Sequence, residues 1–410
     1  LKKRAMESWK VNLISVWFGC FFTGLAISQI LPFLPLYVEQ LGVTSHQALS
    51  LWSGLTFSVT FLVSAIVSPM WGSLADRKGR KLMLLRASFG MAVAILLQAF
   101  ATNVWQLFLL RAVMGLTSGY IPNAMALVAS QVPRERSGWA ISTLSTGQIS
   151  GVIVGPLLGG FMADHLGLRP VFFATAGLLM VSFLVTLLLI KEGARPKISK
   201  NERLTGKEVF ATLPYPWLIL SLFLTTLVIQ LCNGSIGPIL ALFIKQLAPD
   251  SNNIAFMSGF IAALPGISAL FAAPKLGKLG DRIGTERILM ATLCCAVVLF
   301  LAMSFVTSPV QLGILRFMLG FADGAMLPAV QTLLLKYCSD QVTGRIFGYN
   351  QSFMYLGNVA GPLMGAGVSA IAGFRYVFAA TAVVVLLNVW QLAVALKRKN
   401  ARLQTADKKT

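Results

Sequence analysis

Charge is what this chain has least of. Only 12% of its 410 residues are Asp, Glu, Lys or Arg, about half the share found in soluble globular chains. So little charge cannot coat a water-facing surface, which excludes a soluble enzyme, a secreted module and a disordered protein. Histidine is nearly missing. His46 and His165 stand far apart, so no metal cluster and no metal cofactor is expected. The five cysteines (Cys20, Cys232, Cys294, Cys295 and Cys338) are odd in number and lie mostly in apolar stretches, which implies no disulfide framework. Gly206-Lys207 and Gly277-Lys278 lack the spacing and the Ser or Thr of a phosphate-binding loop, so neither ATP-driven pumping nor enzymatic activity is expected, and no cofactor. The first apolar stretch has no small-residue cleavage site and reads as a membrane helix, not a signal peptide. Leu1 is not an initiator Met.

Apolar material is what fills the chain. Hydrophobic residues make up 56%, mean hydropathy is +0.75, and the runs are roughly 20 residues long, enough to cross a bilayer. Twelve spans are predicted: 12–38, 51–71, 82–102, 104–129, 139–163, 170–190, 216–244, 254–276, 288–306, 309–334, 346–369 and 375–396. Backbone polar groups in hydrocarbon must be satisfied internally, so each span is a helix or a closed-barrel strand. No period-2 alternation appears, and helices win. The fold class is an all-α integral membrane protein.

Basic residues set the orientation. All but five of the 34 Lys and Arg fall on one side when the N-terminus is placed in the cytoplasm. The exceptions are Arg169, Lys245 and Arg375 outside, and Arg111 and Arg316 within spans. Both termini are then cytoplasmic. The net charge of +20 is a topology signal, with affinity for the lipid bilayer and not for nucleic acid.

The sequence repeats at half its length. Gly72-Ser-Leu-Ala-Asp76-Arg77-Lys-Gly79 returns 205 residues later as Gly277-Lys-Leu-Gly-Asp281-Arg282-Ile-Gly284. The same offset carries Arg111, Gly115 and Gly119 onto Arg316, Gly320 and Gly324, and an offset of 206 carries Gly155-Pro156-Leu157 onto Gly361-Pro362-Leu363. Six helices separate the copies, so the repeats are parallel, related by an axis along the membrane normal. Three segments follow: a six-helix bundle over 1–190, a linker over 191–215 and a second bundle over 216–410. Two matching bundles point to a transporter, with a duplicated receptor or scaffold as the plain alternative.

Three groups of residues stand out. The 72–81 segment reads as a tight cytoplasmic loop: Gly72 and Gly79 permit positive φ, and Asp76 is an acid among Arg77, Arg80 and other bases. Asp76 can pair with a neighbouring base or with the N-terminus of a helix, while the bases read equally as topology anchors. Span five carries Gly147, Gly151, Gly155, Pro156, Gly159 and Gly160. Glycines four apart let another helix approach closely, and Pro156 can bend the helix; hinge and plain packing face are both open. Inside the bilayer lie Arg111, Arg316 and Asp323, each costly enough to suggest function. Arg316 and Asp323, seven apart, share a helix face. A static structural role is the alternative for all three.

These spans, the paired Gly-x-Leu-x-Asp-Arg segments and the span-five glycines resemble the major facilitator superfamily, specifically its drug:H+ antiporter branch with twelve helices. The resemblance implies two pseudo-symmetric six-helix bundles and proton-coupled export of small amphiphilic drugs by a monomer. It makes Asp76, Arg77 and Arg80 a cytoplasmic gate whose copy in Asp281 and Arg282 is weaker. It also makes the span-five pattern the antiporter hinge and seal, and Arg111-x3-Gly115 a motif of proton transfer. A cavity lined by spans one, four, seven and ten would hold Gln29, Phe33, Asn123, Gln230 and Asn233, with Gln148, Asn350 and Gln351 from spans five and eleven. Each of these reads alone as an interhelical hydrogen bond. A carrier for one sugar or organic anion is the competing function.

Overall fold

The structure, a computed structural model, describes residues 2–132, 134–191, 213–338 and 340–407. The linker predicted over 191–215 lies largely outside them. Every regular element among the described residues is a helix. Among the described residues, eleven helices are long and apolar enough to cross a membrane. The remaining long helix, Asp340–Ala372, has 33 residues but is diluted by Asn350, Gln351, Ser352, Asn358 and its glycines.

Several helices outrun their predicted spans, because hydropathy reports only the part in lipid. Span two runs over His46–Lys78, span five over Arg134–Leu166 and span eight over Ile254–Ile283. Three spans are interrupted. Span one is Lys2–Ile30, a 3-10 turn at Leu31–Phe33 and Leu34–Gln40; span seven is Pro216–Ile236 and Leu240–Leu247, broken at the matching residues 237–239. Span four is Val104–Thr117 and Tyr120–Gln131, whereas its copy, span ten, runs unbroken over Pro309–Tyr337.

Local chemistry explains where the helices start and stop, and the repeat is visible in it. Asn103 caps span four through Gln106 N at 3.0 Å, and Ser308 caps span ten through Gln311 N at 3.3 Å. The glutamine side chain at each third position accepts from Thr102 N or Thr307 N, at 2.9 and 2.8 Å. Side-chain acceptors at a helix start satisfy N–H groups that have no helical partner. Gly79 and Gly284, at φ 104° and 103°, and Gly167 and Gly373, at 90° and 98°, stop the preceding helices in both copies.

The described chain forms two compact units. The first comprises 1–198 together with 240–263, and the second 199–239 with 264–410. In the first, span one packs along spans five and six, and span three along span six, with span two against span four. In the second, span seven packs along eleven and twelve, and span nine along ten and twelve.

Candidate functional site

Span ten carries the acid. Asp323 sits half-buried in the middle of Pro309–Tyr337, and the buried Arg316 interacts with it electrostatically. Cys232 of span seven lies within its field as well. The adjoining face of span ten is committed to packing: a Cβ on Gly320 would stand 2.5 Å from Pro265 Cα, and one on Gly324 3.0 Å from Ala269 Cα. The two glycines dock span ten on span eight and leave Asp323 on another face. An ionisable pair in this position is costly unless it works.

Arg111, the copy of Arg316, is 2% exposed but has different partners. Its Nε donates to Thr56 O at 3.1 Å and its Nη1 lies 3.6 Å from Met114 Sδ. Thr60 Oγ1 returns a bond to Arg111 O at 3.0 Å. Arg111 therefore ties span four to span two through backbone carbonyls, and forms no ion pair with a carboxylate among the described residues. That geometry is the static alternative for this residue.

The 72–81 segment is mostly helix, not the expected tight loop. Span two continues to Lys78 and span three starts at Arg80, so Gly79 alone makes the turn. Gly72 is helical, and a Cβ there would meet open space; positive φ is needed only at Gly79. Arg77 is exposed and Arg80 half-buried, and in the second copy Arg282 is exposed. The side chains of Asp76 and Asp281 lie outside the described residues.

The span-five glycines divide by direction. Gly147, Gly151, Gly155 and Gly159 face span one: built Cβ atoms would lie 2.8 Å from Trp17 O, 2.8 Å from Leu25 N, 2.8 Å from Leu25 O and 2.9 Å from Phe33 Cε1. This stripe is a close-packing face within the first bundle, which corrects its expected role as a seal between halves. Gly160 points elsewhere, and a Cβ there would stand 2.8 Å from Phe256 Cα at the start of span eight; Gly259 approaches Pro156 O just as closely. Pro156 lies inside an unbroken helix. Span eleven repeats the stripe against span seven, with Gly357 on Gln230 Cβ at 2.8 Å, Gly361 on Leu231 Cα at 3.0 Å and Gly365 on Ser235 C at 2.8 Å.

Four of the expected cavity liners are packed away instead. Gln29 is 1% exposed and accepts from Thr175 Oγ1 at 2.9 Å. Phe33 is fully buried at the span-one turn. Asn123 donates to Gly119 O at 2.8 Å, and Asn350 accepts from Thr226 Oγ1 at 2.7 Å. Buried polar groups need such partners, and that need overrode a polarity-based reading. Gln148 and Gln230 are half-buried, and only Asn233 and Gln351 are exposed.

Sequence reasoning missed the outer contacts of the first unit. Asp164 accepts from Ala255 N at 3.1 Å and Phe256 N at 2.7 Å, capping span eight from the end of span five. Lys245 Nζ meets both carboxylate oxygens of Glu39 at 2.9 and 3.0 Å. These two residues are 206 apart, so each is the other's copy. The repeat offset was the signal that could have found the pair.

Two similar bundles of membrane-crossing helices, joined by a repeat and carrying an acid and two arginines at mid-span, define a polytopic membrane protein of the transporter type. The chain belongs to the Major Facilitator Superfamily, whose profile matches residues 16–248 and again 222–410. It is 60% identical over 397 residues to the multidrug resistance protein MdtG of Serratia proteamaculans (strain 568), covering 97% of this chain and 96% of that one. It is 59% identical over 397 residues to MdtG of Salmonella typhimurium, covering 97% and 98%. Among solved structures, the nucleoside transporter NupG superposes with a TM-score of 0.77 at 14% identity over 94% of this chain and 99% of that one. A bacterial homolog of the human lysosomal transporter Spinster, inward-facing and occupied, gives 0.77 at 16% over 94% and 96%. At such identities the structures speak for the fold alone.

Proposed function

We propose that this chain is a proton-coupled multidrug exporter of the bacterial inner membrane, moving small amphiphilic compounds out of the cytoplasm by alternating access. Export of diverse compounds is supported by the near-full-length similarity to multidrug resistance proteins. Coupling is carried by one observation: Asp323, half-buried at mid-span within the field of Arg316. Burial favours a protonated carboxyl while a nearby guanidinium favours the ionised one, so a change of exposure tips the balance and moves a proton. Arg316 and Arg111 serve as the charge partner and the anchor. A proton crossing 100 mV and one pH unit releases about 3.7 kcal/mol, enough for a roughly 500-fold gradient of a neutral solute. In this reading both termini are cytoplasmic, the protein works as a monomer, Asp76 with Arg77 and Arg80 gates the cytoplasmic side, and Gly160 with Pro156 supports the outer side. Asn233 and Gln351 are the liners best placed to meet substrate.

The test is a susceptibility panel in an efflux-deficient bacterial host, with and without an uncoupler, followed by flux in proteoliposomes under an imposed proton gradient. Export that collapses with the uncoupler and in Asp323→Asn supports the reading. Export by Asp323→Asn that keeps its dependence on the gradient overturns the assignment of the acid.

A further inference from the structure

Spans one and seven are interrupted at matching residues, but the interruption of span four has no match in span ten. Its causes are local. Pro122 has no N–H and its ring crowds the carbonyl four residues back, which leaves Ser118 O without a helical donor. Gly119, at φ 113° and ψ 18°, turns the chain at that point. The loosened carbonyls are then met one by one. Arg86 of span three donates from Nη2 to Ser118 O at 2.7 Å. Trp71 of span two donates to Leu116 O at 2.9 Å, and the Arg86 guanidinium lies 3.7 Å over its ring. The hydroxyls of Ser64 and Ser118 reach Gly115 O at 3.1 and 2.8 Å. Asn123 closes on Gly119 O.

At the repeat offset the second copy reads Ala269 for Ser64, Leu276 for Trp71, Ala291 for Arg86, Asp323 for Ser118, Leu327 for Pro122 and Pro328 for Asn123. None of the donors Ser64, Trp71, Arg86 and Asn123 is kept, and span ten is straight through this point. Leucine at position 122 would give Ser118 O a helical N–H donor and remove its need for Arg86. Span three thus commits a half-buried guanidinium to supporting broken backbone in span four, and proteins break local rules of this kind chiefly where function requires it.

We infer that Arg86 is a positioning residue for transport: it holds span four as two half-helices, and the cycle requires the broken form. The inference rests on the transport reading above. The break lets Val104–Thr117, anchored by Arg111, and Tyr120–Gln131, carrying Asn123, take separate directions. Arg86 also places a cation at the C-terminal end of the first piece, where the helix dipole favours one.

Three variants test this: Arg86→Ala, Arg86→Lys, and Arg86→Ala combined with Pro122→Leu, which gives Ser118 O an N–H donor as in span ten. Hydrogen exchange across 115–124 and thermal unfolding are followed in nanodiscs. Export of taurocholate and of ethidium is followed in proteoliposomes under a proton gradient. Arg86→Ala should export about tenfold more slowly or worse, with Arg86→Lys in between. The double variant should regain the wild-type unfolding midpoint within about 2 °C, and its amides at 118–122 should become as protected as those at 323–327. Its export should stay about tenfold down. A double variant that exports at the wild-type rate overturns the inference, since Arg86 would then only repair Pro122. Unchanged exchange in Arg86→Ala and Arg86→Lys overturns it as well, and does so even if the wild type exports neither probe. That last outcome would count against the export reading by itself. Should Arg86→Ala fail to fold, the double variant and Arg86→Lys decide the matter.

Discussion

Spans four and ten are copies of one pattern, yet they have been put to opposite uses. Each has an arginine followed four and eight residues later by glycine, and each docks its glycine face on a neighbour, Gly115 on span two and Gly320 on span eight. There the likeness ends. Arg111 is bonded to the carbonyl of Thr56, whereas Arg316 acts on Asp323. Position 118 holds a serine at a break, and position 323 an acid in a continuous helix. The duplication kept the small residues that allow helices to touch and changed the polar residues that decide what each helix does. The same division appears at the helix ends near Lys191 and Lys399. In the first half Asn12 and Gln131 clamp the backbone of Lys191 with neutral amides, with Asn12 Nδ2 on Lys191 O at 2.7 Å. In the second half Glu286 gathers Lys399 at 3.2 Å, Lys336 at 3.4 Å and the hydroxyl of Tyr337.

The largest effect that would sharpen this contrast is at the acid. Asp323→Asn should abolish proton-driven export in vesicles while leaving insertion intact, and Arg111→Met should instead act mainly on stability. Losing Arg111 removes a buried bond from a charged donor to Thr56 O, worth about 1.5–3 kcal/mol and readable as a lowered unfolding midpoint. Gradient-driven export equally damaged in both variants would erase the distinction between the two arginines. Next in size are Gly151→Leu and Gly361→Leu. Both insert a branched side chain where backbone already touches, and overpacking of this kind costs about 1–3 kcal/mol or more. Similar losses of folded protein on gel filtration are expected, because the stripes on spans five and eleven are alike; a loss confined to one would break the symmetry. Asp164→Ala comes after these. It removes a cap on span eight worth about 1 kcal/mol, seen as faster exchange of the amides of Ala255 and Phe256. Smallest is Glu286→Gln, which should lower the unfolding midpoint by the equivalent of about 1 kcal/mol or less, because Lys336 is largely solvated and the glutamine keeps an acceptor oxygen for Tyr337 and Lys399.

Much of the architecture was legible because membrane helices write themselves in hydropathy and glycine spacing. The twelve predicted spans each fall on a helix, and the caps the structure shows at Asn103 and Ser308 stand at the same offset of 205. The site was read less well. Gln29 and Asn350 looked like cavity liners because polarity in a span suggests water, but an interior partner satisfies the same side chain equally well. The 72–81 segment looked like a loop because glycine and charge usually mark one, although a helix can carry both past the edge of the bilayer. The break in span four was written in Pro122 and Gly119, yet Pro156 and Pro328 sit in unbroken helices. Proline alone does not separate the two outcomes.

What the sequence settled by itself is the class of the protein. Apolar runs of bilayer length, basic residues gathered on one side and an internal repeat leave few alternatives, because each reports a term that depends on composition and order alone. Only the tertiary structure decided which polar groups are spoken for. Whether a buried arginine anchors a carbonyl, faces an acid or props open a broken helix depends on atoms brought from other spans to within about 3 Å, and no spacing along one strand of sequence encodes that distance.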